Sequence, residues 1–346
     1  MYNKIIQGFP NPQRNLYKVC VRTNTYNQSN FIELCLNGVV QQNTHFRYVY
    51  LIIDDCSTDG EQDVIRAFIN TRCDMDTAEY YDNDICSITL ATIKTNPNCL
   101  VVVYFLKQNL YTNPQKKSTL YESWREVCKY ETLCEGDDYW IDSDILQKQS
   151  DFLDSHEQYS AIANNAKNIS FDGKTLGLFS YKPSRDLSDM GEIVRQRQFH
   201  TAAIMYRLSS FNVSPARESN IAWDTFWWCC LMSQGPIRYE ESISCVYRLG
   251  TGVTSTTPNM KWIMIQEQWE NILYATFAPK YINYNDPYYS LLRDIMSVLV
   301  NKKCTKEEKA KLKNLFMRYI TPSLFIELIP SMWINVKSIV KRLLNR

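Results

Sequence analysis

Two of the chain's β-rich runs end in clustered acids, and this pattern constrains the fold most. Tyr48–Asp54 (YVYLIID) runs into Asp54-Asp55-Cys56-Ser57-Thr58-Asp59-Gly60, and Tyr130–Cys134 runs into Glu135-Gly136-Asp137-Asp138. Lys18–Arg22 and Val101–Phe105 read as further strands. Between them lie segments of helical period. Asn30–Gln42 places Ile32, Cys35, Leu36, Val39 and Val40 on one face, with Asn30 and Glu33 as a capping pair. Thr58 and Glu61 form a second such pair before a helix over Asp63–Ile69, and Thr119–Lys129 reads as another helix. Strands alternating with helices predict βαβ units: an α/β fold with a mostly parallel sheet flanked by helices.

Residues 70–99 interrupt the alternation and read as an irregular acidic insertion. Further on, Ile145–Leu153 reads as a helix, and Tyr159–Asn165 and Asn168–Phe171 as strands before an Asp172-Gly173 turn. Thr201–Tyr206 and Ile243–Arg248 are strand-like, and Asp224–Ser233 is helical. From about Met260 the chain reads as a helical appendage.

Ligands of open α/β sheets bind beyond the carboxyl ends of the strands. If the acid-tipped strands are neighbours, four or five carboxylates share one edge, and a cation or a proton must offset them. Oxygen ligands favour Mg²⁺ or Mn²⁺ shared with substrate phosphates. An acid after a strand also caps the next helix, and Asp59 or Asp142 suits that role. Two acid pairs, each closing a β-rich run, weigh against capping alone. Asp74, Asp76, Asp82 and Asp84 follow no buried strand and read as solvated loop.

The net charge of +1 over 346 residues hides an asymmetry. Residues 302–346 hold eleven Lys/Arg and three Asp/Glu, which gives +8 and leaves −7 for the rest. A uniformly basic nucleic-acid binder is excluded. Three histidines and twelve scattered cysteines without C-x-x-C argue against zinc. No secretory signal is evident, and the strongest apolar run, Leu100–Leu106, is far shorter than the ~20 residues of a membrane span. Free thiols fit a reducing, cytoplasmic setting.

At the acid-tipped segments the chain resembles the inverting family 2 glycosyltransferases with a GT-A (Rossmann-like) fold, of the bacterial polysaccharide-biosynthesis type. VRTNTYNQSNFIELCLNGVVQQ is similar to their opening strand, turn and helix, and YVYLIIDDCSTDGEQDVI to their double-acid segment. YETLCEGDDYWIDSDILQKQSDFL resembles their D-x-D metal region, and FHTAAIMYR and the stretch from Trp223 to Gly252 their acceptor side. The resemblance covers about Lys18 to Ser255. It implies a nucleotide-sugar donor, foremost a UDP-sugar, and a glycan or lipid-linked acceptor in cell-surface polysaccharide synthesis.

By this resemblance Asn24, Thr25 and Tyr26 lie beside the nucleotide, Asp55 meets the base, and Asn109 follows the third strand near the donor. Asp137 and Asp138 hold Mn²⁺ or Mg²⁺, with Asp138 the direct ligand. Asp224 is the catalytic base, and Trp140, His200 and Arg248 lie toward the acceptor. Inverting transfer needs one such base to take the acceptor's hydroxyl proton. Apolar neighbours in Ala-Trp-Asp-Thr-Phe-Trp-Trp would raise its pKa, although Asp224 equally suits a helix start. Tyr139, Trp140, Trp223, Trp227 and Trp228 offer sugar-stacking faces or simply core. The family's motif departs at three places. Glu135 opens the D-x-D, Arg22-Thr23-Asn24 replaces an apolar-Pro start, and Gly250 stands where a metal-binding His is often found. Lys116-Lys117 is either a diphosphate contact or a solvated pair.

Leu324–Leu344 is amphipathic, with Trp333 among its apolar residues and Lys337, Lys341, Arg342 and Arg346 collecting at its end. Such a segment suits an anionic membrane surface, which would make the protein peripheral at the inner face of the cell membrane, or packs on its own domain. The expected organisation is a glycosyltransferase domain over residues 1–255 and a helical region over 256–346. The alternatives are a nucleotidyltransferase, which Thr23–Ser29 disfavours by lacking Gly and Lys, and a noncatalytic sugar-binding or scaffold protein on the same fold.

Overall fold

The computed structural model describes residues 5–111, 113–212, 223–251, 259–300 and 304–330. They form two compact units. The first spans Met1–Ser188, Gln198–Ala222 and Cys230–Gly252; the second spans Asp189–Arg197, Trp223–Cys229 and Val253–Arg346.

The first unit is a mixed sheet with helices. Its strands are β1 (Ile5–Gln7), β2 (Val19–Thr25), β3 (Tyr48–Asp54), β4 (Glu79–Asp82), β5 (Cys86–Ile93), β6 (Asn96–Leu106) and β7 (Tyr130–Leu133). They continue as β8 (Tyr139–Trp140), β9 (Ala161–Ile169), β10 (Thr175–Leu178), β11 (Arg185–Leu187), β12 (Ile204–Arg207) and β13 (Ile237–Arg248). The spatial order is β1-β4-β5-β6-β3-β2-β7-β12-β9-β13-β11, with β10 on β9 and β8 on β13. The central strands β6, β3, β2 and β7 run parallel, and antiparallel ribbons extend both sides.

The helices of this part of the chain are α1 (Ile32–Val40), α2 (Glu61–Arg72), α3 (Pro114–Thr119), α4 (Glu122–Glu126) and α5 (Ile145–Ser155). Alternation along β2 explains the layering. Val19 and Val21 join one apolar cluster with Ile32, Leu36, Ile65 and Leu146. Cys20 joins the other with Leu110, Leu120, Tyr121 and Trp124.

Four local expectations are corrected. Residues 70–99 are no irregular insertion: β4, β5 and the start of β6 form an antiparallel meander. Ser87 and Thr89 lie among Cys86, Ile88 and Leu90, so the run lacks an obvious apolar signature. Asn30 does not cap α1; Gln28 O accepts from Phe31 N at 2.9 Å and from Ile32 N at 3.0 Å. Thr58 does not cap α2 either. Asp59 Oδ1 accepts from Glu61 N at 3.1 Å, so Asp59 supplies the cap the sequence allowed it. The helix expected over Thr119–Lys129 is only the short α4, with α3 ending where it was to begin.

The second unit contains α6 (Met190–Arg195), the residues Trp223–Cys229, α9 (Asn259–Phe277), α10 (Asn285–Val300) and α11 (Lys306–Tyr319), where α7 (Leu208–Asn212) and α8 (Asp224–Met232) precede α9 in the chain. Ile263, Leu291, Leu292, Ile295, Leu312, Leu324 and Leu328 form its core. A complete capping box, Thr305 with Glu308, starts α11. No helix among the described residues is long and apolar enough to cross a membrane. The tail residues from 331 on, including Trp333, Lys337, Lys341, Arg342 and Arg346, lie outside the described residues.

Glu270 on α9 is fully buried, and neither carboxyl oxygen has a hydrogen-bond partner. Burial pushes its pKa well above the ordinary value, Asp294 adds to this, and Gln266 and Arg293 oppose it. A carboxyl raised by folding favours the fold below its unfolded pKa, and that stability is lost as pH rises through the folded value. Glu270→Gln is therefore expected to stabilise the protein by about 1–3 kcal/mol at pH 8 and by little near pH 4.5. Thermal denaturation of both proteins across this range checks it.

Candidate active site

The register of the central strands brings the acid-tipped segments together. β2 pairs with both β3 and β7: Thr25 faces Asp54, and Arg22 faces Leu133. The strands are neighbours, so the turn after β2, the double acid after β3 and the acidic loop after β7 share one sheet edge.

After β3, Asp55 is almost fully buried. Its Oδ1 accepts from Leu110 N at 2.6 Å, and its Oδ2 pairs with Lys117 Nζ at 2.8 Å. Asn109 Nδ2 donates to Asp55 O at 3.0 Å. Lys117 is therefore the partner of Asp55 rather than a solvated lysine; the Lys116 side chain lies outside those described. Cys56 has φ +65° and Asn27 φ +55°, which L residues seldom adopt. Asn27 holds its conformation by accepting from Thr58 N at 2.8 Å, while its own N donates to Ser57 Oγ at 2.9 Å. Tyr26 is about half exposed at this turn. Asn24 Oδ1 and Asp54 Oδ2 are buried without a hydrogen-bond partner. Such orphaned atoms suit a site completed by a ligand.

In the loop after β7, one carboxylate oxygen each from Glu135, Asp137 and Asp138 lies within 4.8 Å of the others. Asp138 is 1% exposed. Burial pushes its pKa well above the ordinary range, Asp137 and Glu135 push it further, and the Arg248 N–H opposes. A hard divalent cation would relieve this crowding, so these residues fit a metal.

The end of β13 braces the loop. Arg248 N donates to Asp138 Oδ1 at 2.9 Å, and Thr251 Oγ1 donates to Asp137 Oδ2. The Arg248 side chain reaches Asp137 O at 3.3 Å and Phe171 O at 3.1 Å, with its guanidinium 4.3 Å from the Phe31 ring centroid. These contacts tie Arg248, expected toward an acceptor, to the acidic loop.

His200 is 3% exposed, and its Nδ1 is 3.5 Å from Asp138 Oδ2. Ala202 N donates to that nitrogen at 3.2 Å, and the ring stacks on Tyr247 with centroids 3.9 Å apart. His200, expected toward the acceptor, thus lies beside the acidic loop. Trp140 is buried, and its Nε1 donates to Ala202 O at 2.7 Å, so its indole packs in the core.

Asp224 begins α8 and counts with the second unit. Its side chain is 40% exposed, with Arg197 Nη2 at 3.2 Å from Oδ2. Trp223 stacks on Trp269 with centroids 5.4 Å apart, and Trp228 is buried. Sequence reasoning missed two residues at the first unit's edge, Thr251 and Glu61. Glu61 passed for a helix cap because it follows Thr58 at capping distance.

A parallel-centred sheet gathers a double acid, a polar turn and a three-carboxylate loop at its strand ends. Residues 20–90 match the profile of Glycosyl transferase family 2. Uncharacterized proteins of Mycobacterium tuberculosis and Mycobacterium bovis are 28% identical over 203 residues, which are 58% of this chain and 50% of theirs. The chain thus spans about half the length of these relatives. Among solved structures, S. aureus TarS 1-349 in complex with UDP-GlcNAc superposes with a TM-score of 0.58 at 14% identity, covering 89% of this chain and 82% of that one. Another TarS structure gives 0.57 at the same identity, covering 89% and 50%. Residues 20–90 are thus similar to family 2 glycosyltransferases, and the chain has the fold of the solved TarS structures.

Proposed function

We propose that this protein is a metal-dependent inverting glycosyltransferase that moves a sugar from a UDP-sugar to a glycan or lipid-linked acceptor in cell-surface polysaccharide synthesis. The observation that carries the reading is the convergence of Asp55, the Asn24–Tyr26 turn and Glu135/Asp137/Asp138 on one edge. TarS, of the same fold, is seen with UDP-GlcNAc.

In this reading Asp55 takes the base and the Asn24–Tyr26 turn takes the nucleoside. Asp138 and Asp137, with Glu135 beside them, hold Mn²⁺ or Mg²⁺. A bound divalent ion supplies charge stabilisation to the leaving diphosphate. Arg248 and Thr251 orient the carboxylates. Asp224 takes the proton of the attacking hydroxyl, and its exposure leaves it open to solvent and substrate. The test is donor turnover with Mn²⁺ or with chelator, comparing wild type and Asp224→Asn. The variant is expected to lose about 10²–10⁴-fold in kcat while keeping UDP affinity. Undiminished turnover removes Asp224 from the role, and a wild type that binds no nucleotide sugar favours the sugar-binding or scaffold reading.

The charge of the last segment supports a second element: peripheral attachment to an anionic bilayer from the cytoplasmic side, where a lipid-linked acceptor would lie. Phe325, Ile326 and Ile329 are exposed just before the basic residues. Replacing Lys337, Lys341, Arg342 and Arg346 by Gln is expected to cut co-sedimentation with phosphatidylserine vesicles at least about tenfold, at ~1 kcal/mol per charge. Equal co-sedimentation of both proteins rejects the attachment.

A further inference from the structure

Glu61 opens α2, yet its carboxyl turns away from the helix. It is fully buried. Oε2 accepts from Gln28 N at 2.9 Å and from Ser57 Oγ at 2.8 Å, and Oε1 lies against Thr25 Oγ1. One carboxyl thereby ties together the turn after β2, the double-acid segment and the start of α2. Thr25 Oγ1 faces two acceptors, Glu61 Oε1 and, at 2.8 Å, Gln28 Oε1, so its hydroxyl joins both side chains. Burial raises the Glu61 pKa against the opposing hydrogen bonds from Thr25, Gln28 and Ser57.

The same two side chains touch the metal loop. A Cβ at Gly136 would lie 2.3 Å from Thr25 Oγ1 and 2.4 Å from Gln28 Oε1, so the loop backbone rests directly on them. Gly136 N also donates to Asn24 O at 3.3 Å. Gly136 is followed at once by Asp137 and Asp138. Displacing Thr25 or Gln28 therefore shifts the support of the carboxylates, although Glu61 touches none of them.

We propose that Glu61 is a positioning residue that couples the nucleotide side of the site to its metal side, by locking Thr25 and Gln28 under Gly136. The inference rests on the donor-site reading given above. A residue that only braced the fold would lower stability and leave the linkage between nucleotide and metal unchanged. A coupling residue changes that linkage, because by reciprocity the metal tightens the nucleotide by the factor the nucleotide tightens the metal.

The test is calorimetric titration of UDP, and of GDP as comparison, into the full chain with Mn²⁺ and with chelator. Mn²⁺ affinity is measured separately by the resonance of the free ion. Wild type is expected to bind UDP more tightly with Mn²⁺. Glu61→Ala is expected to lose at least about tenfold in UDP affinity at saturating Mn²⁺, about 1.4 kcal/mol, and to lose most of the metal's tightening effect. Glu61→Gln keeps an acceptor for Gln28 N and Ser57 and gains a donor for Thr25, so it is expected to stay within about threefold of wild type. Thermal denaturation of each variant shows whether it is folded. The inference is overturned if folded Glu61→Ala keeps the wild-type tightening, or if Glu61→Gln fails as badly as Glu61→Ala. A wild type that binds neither nucleotide nor Mn²⁺ overturns the donor-site reading and takes this inference with it.

Discussion

Asp138→Asn is expected to abolish Mn²⁺ binding while raising the thermal stability of the metal-free protein. Both effects have one cause. Asp138 is buried with Asp137 and Glu135 close by, and the one backbone donor on it, Arg248 N, does not offset the burial and the like charges. An ionised carboxylate there is expensive until a cation arrives. Asparagine keeps the acceptor for Arg248 N and removes the charge. The metal-free variant is expected to melt a few degrees above wild type, on the order of 1–3 kcal/mol. Saturating Mn²⁺ should raise the melting temperature of wild type by mass action and leave the variant unmoved. Turnover should fall by about 10²–10³-fold or more, the scale of losing a main source of charge stabilisation. Melting curves with and without Mn²⁺ decide it. A variant stabilised by Mn²⁺ as much as wild type would show that the ion binds elsewhere.

The sequence exposed this site because each part is local. A buried strand that stops at a polar cluster is visible in one dimension, and neighbouring parallel strands bring such ends together without further information. What it hid was long-range or ambiguous. Glu61 follows Thr58 at the spacing of a capping pair, and only the approach of Thr25 and Gln28 from another strand shows its carboxyl facing the site. His200 and Arg248 stand far along the chain from Asp138, and register alone places them against the metal loop. β4 and β5 were illegible because Ser87 and Thr89 blur the period and Asp82 to Asp84 resemble a solvated loop. Trp140 shows a further limit: a tryptophan beside an acidic motif suits a sugar platform, and only its hydrogen bond to Ala202 O reveals a core residue.

Replacing Glu131 by alanine is expected to destabilise the first unit more than any surface change, by about 3–5 kcal/mol. Glu131 lies on β7, fully buried. Arg22 Nε donates to it at 3.0 Å, Arg125 Nε at 2.8 Å and the Tyr206 hydroxyl at 2.5 Å. Burial alone would raise its pKa, yet Arg125, Arg22 and Tyr206 hold it below the ordinary value. A depressed carboxylate contributes stability that is fully present above its unfolded pKa and lost as pH falls through the folded one. The wild-type advantage over Glu131→Ala should therefore shrink in acid. Alanine leaves two guanidiniums buried with Glu122 as the nearest remaining acid, 3.4 Å from Arg125 Nη1. At 2–4 °C per kcal/mol for a domain of ~150–250 residues, the melting temperature should drop by roughly 6–20 °C. The triple replacement Arg22→Met, Glu131→Met, Arg125→Met should recover much of the loss, because an apolar core of like volume carries no desolvated charge. Arg22 and Cys20 lie on the face of β2 that packs against Tyr121 and Trp124, opposite Val21 and Thr23. Mn²⁺ affinity of the folded Glu131→Ala protein at 15 °C is accordingly expected to match wild type within about twofold. A melting temperature within 2 °C of wild type would instead show that water reaches the arginines and screens them.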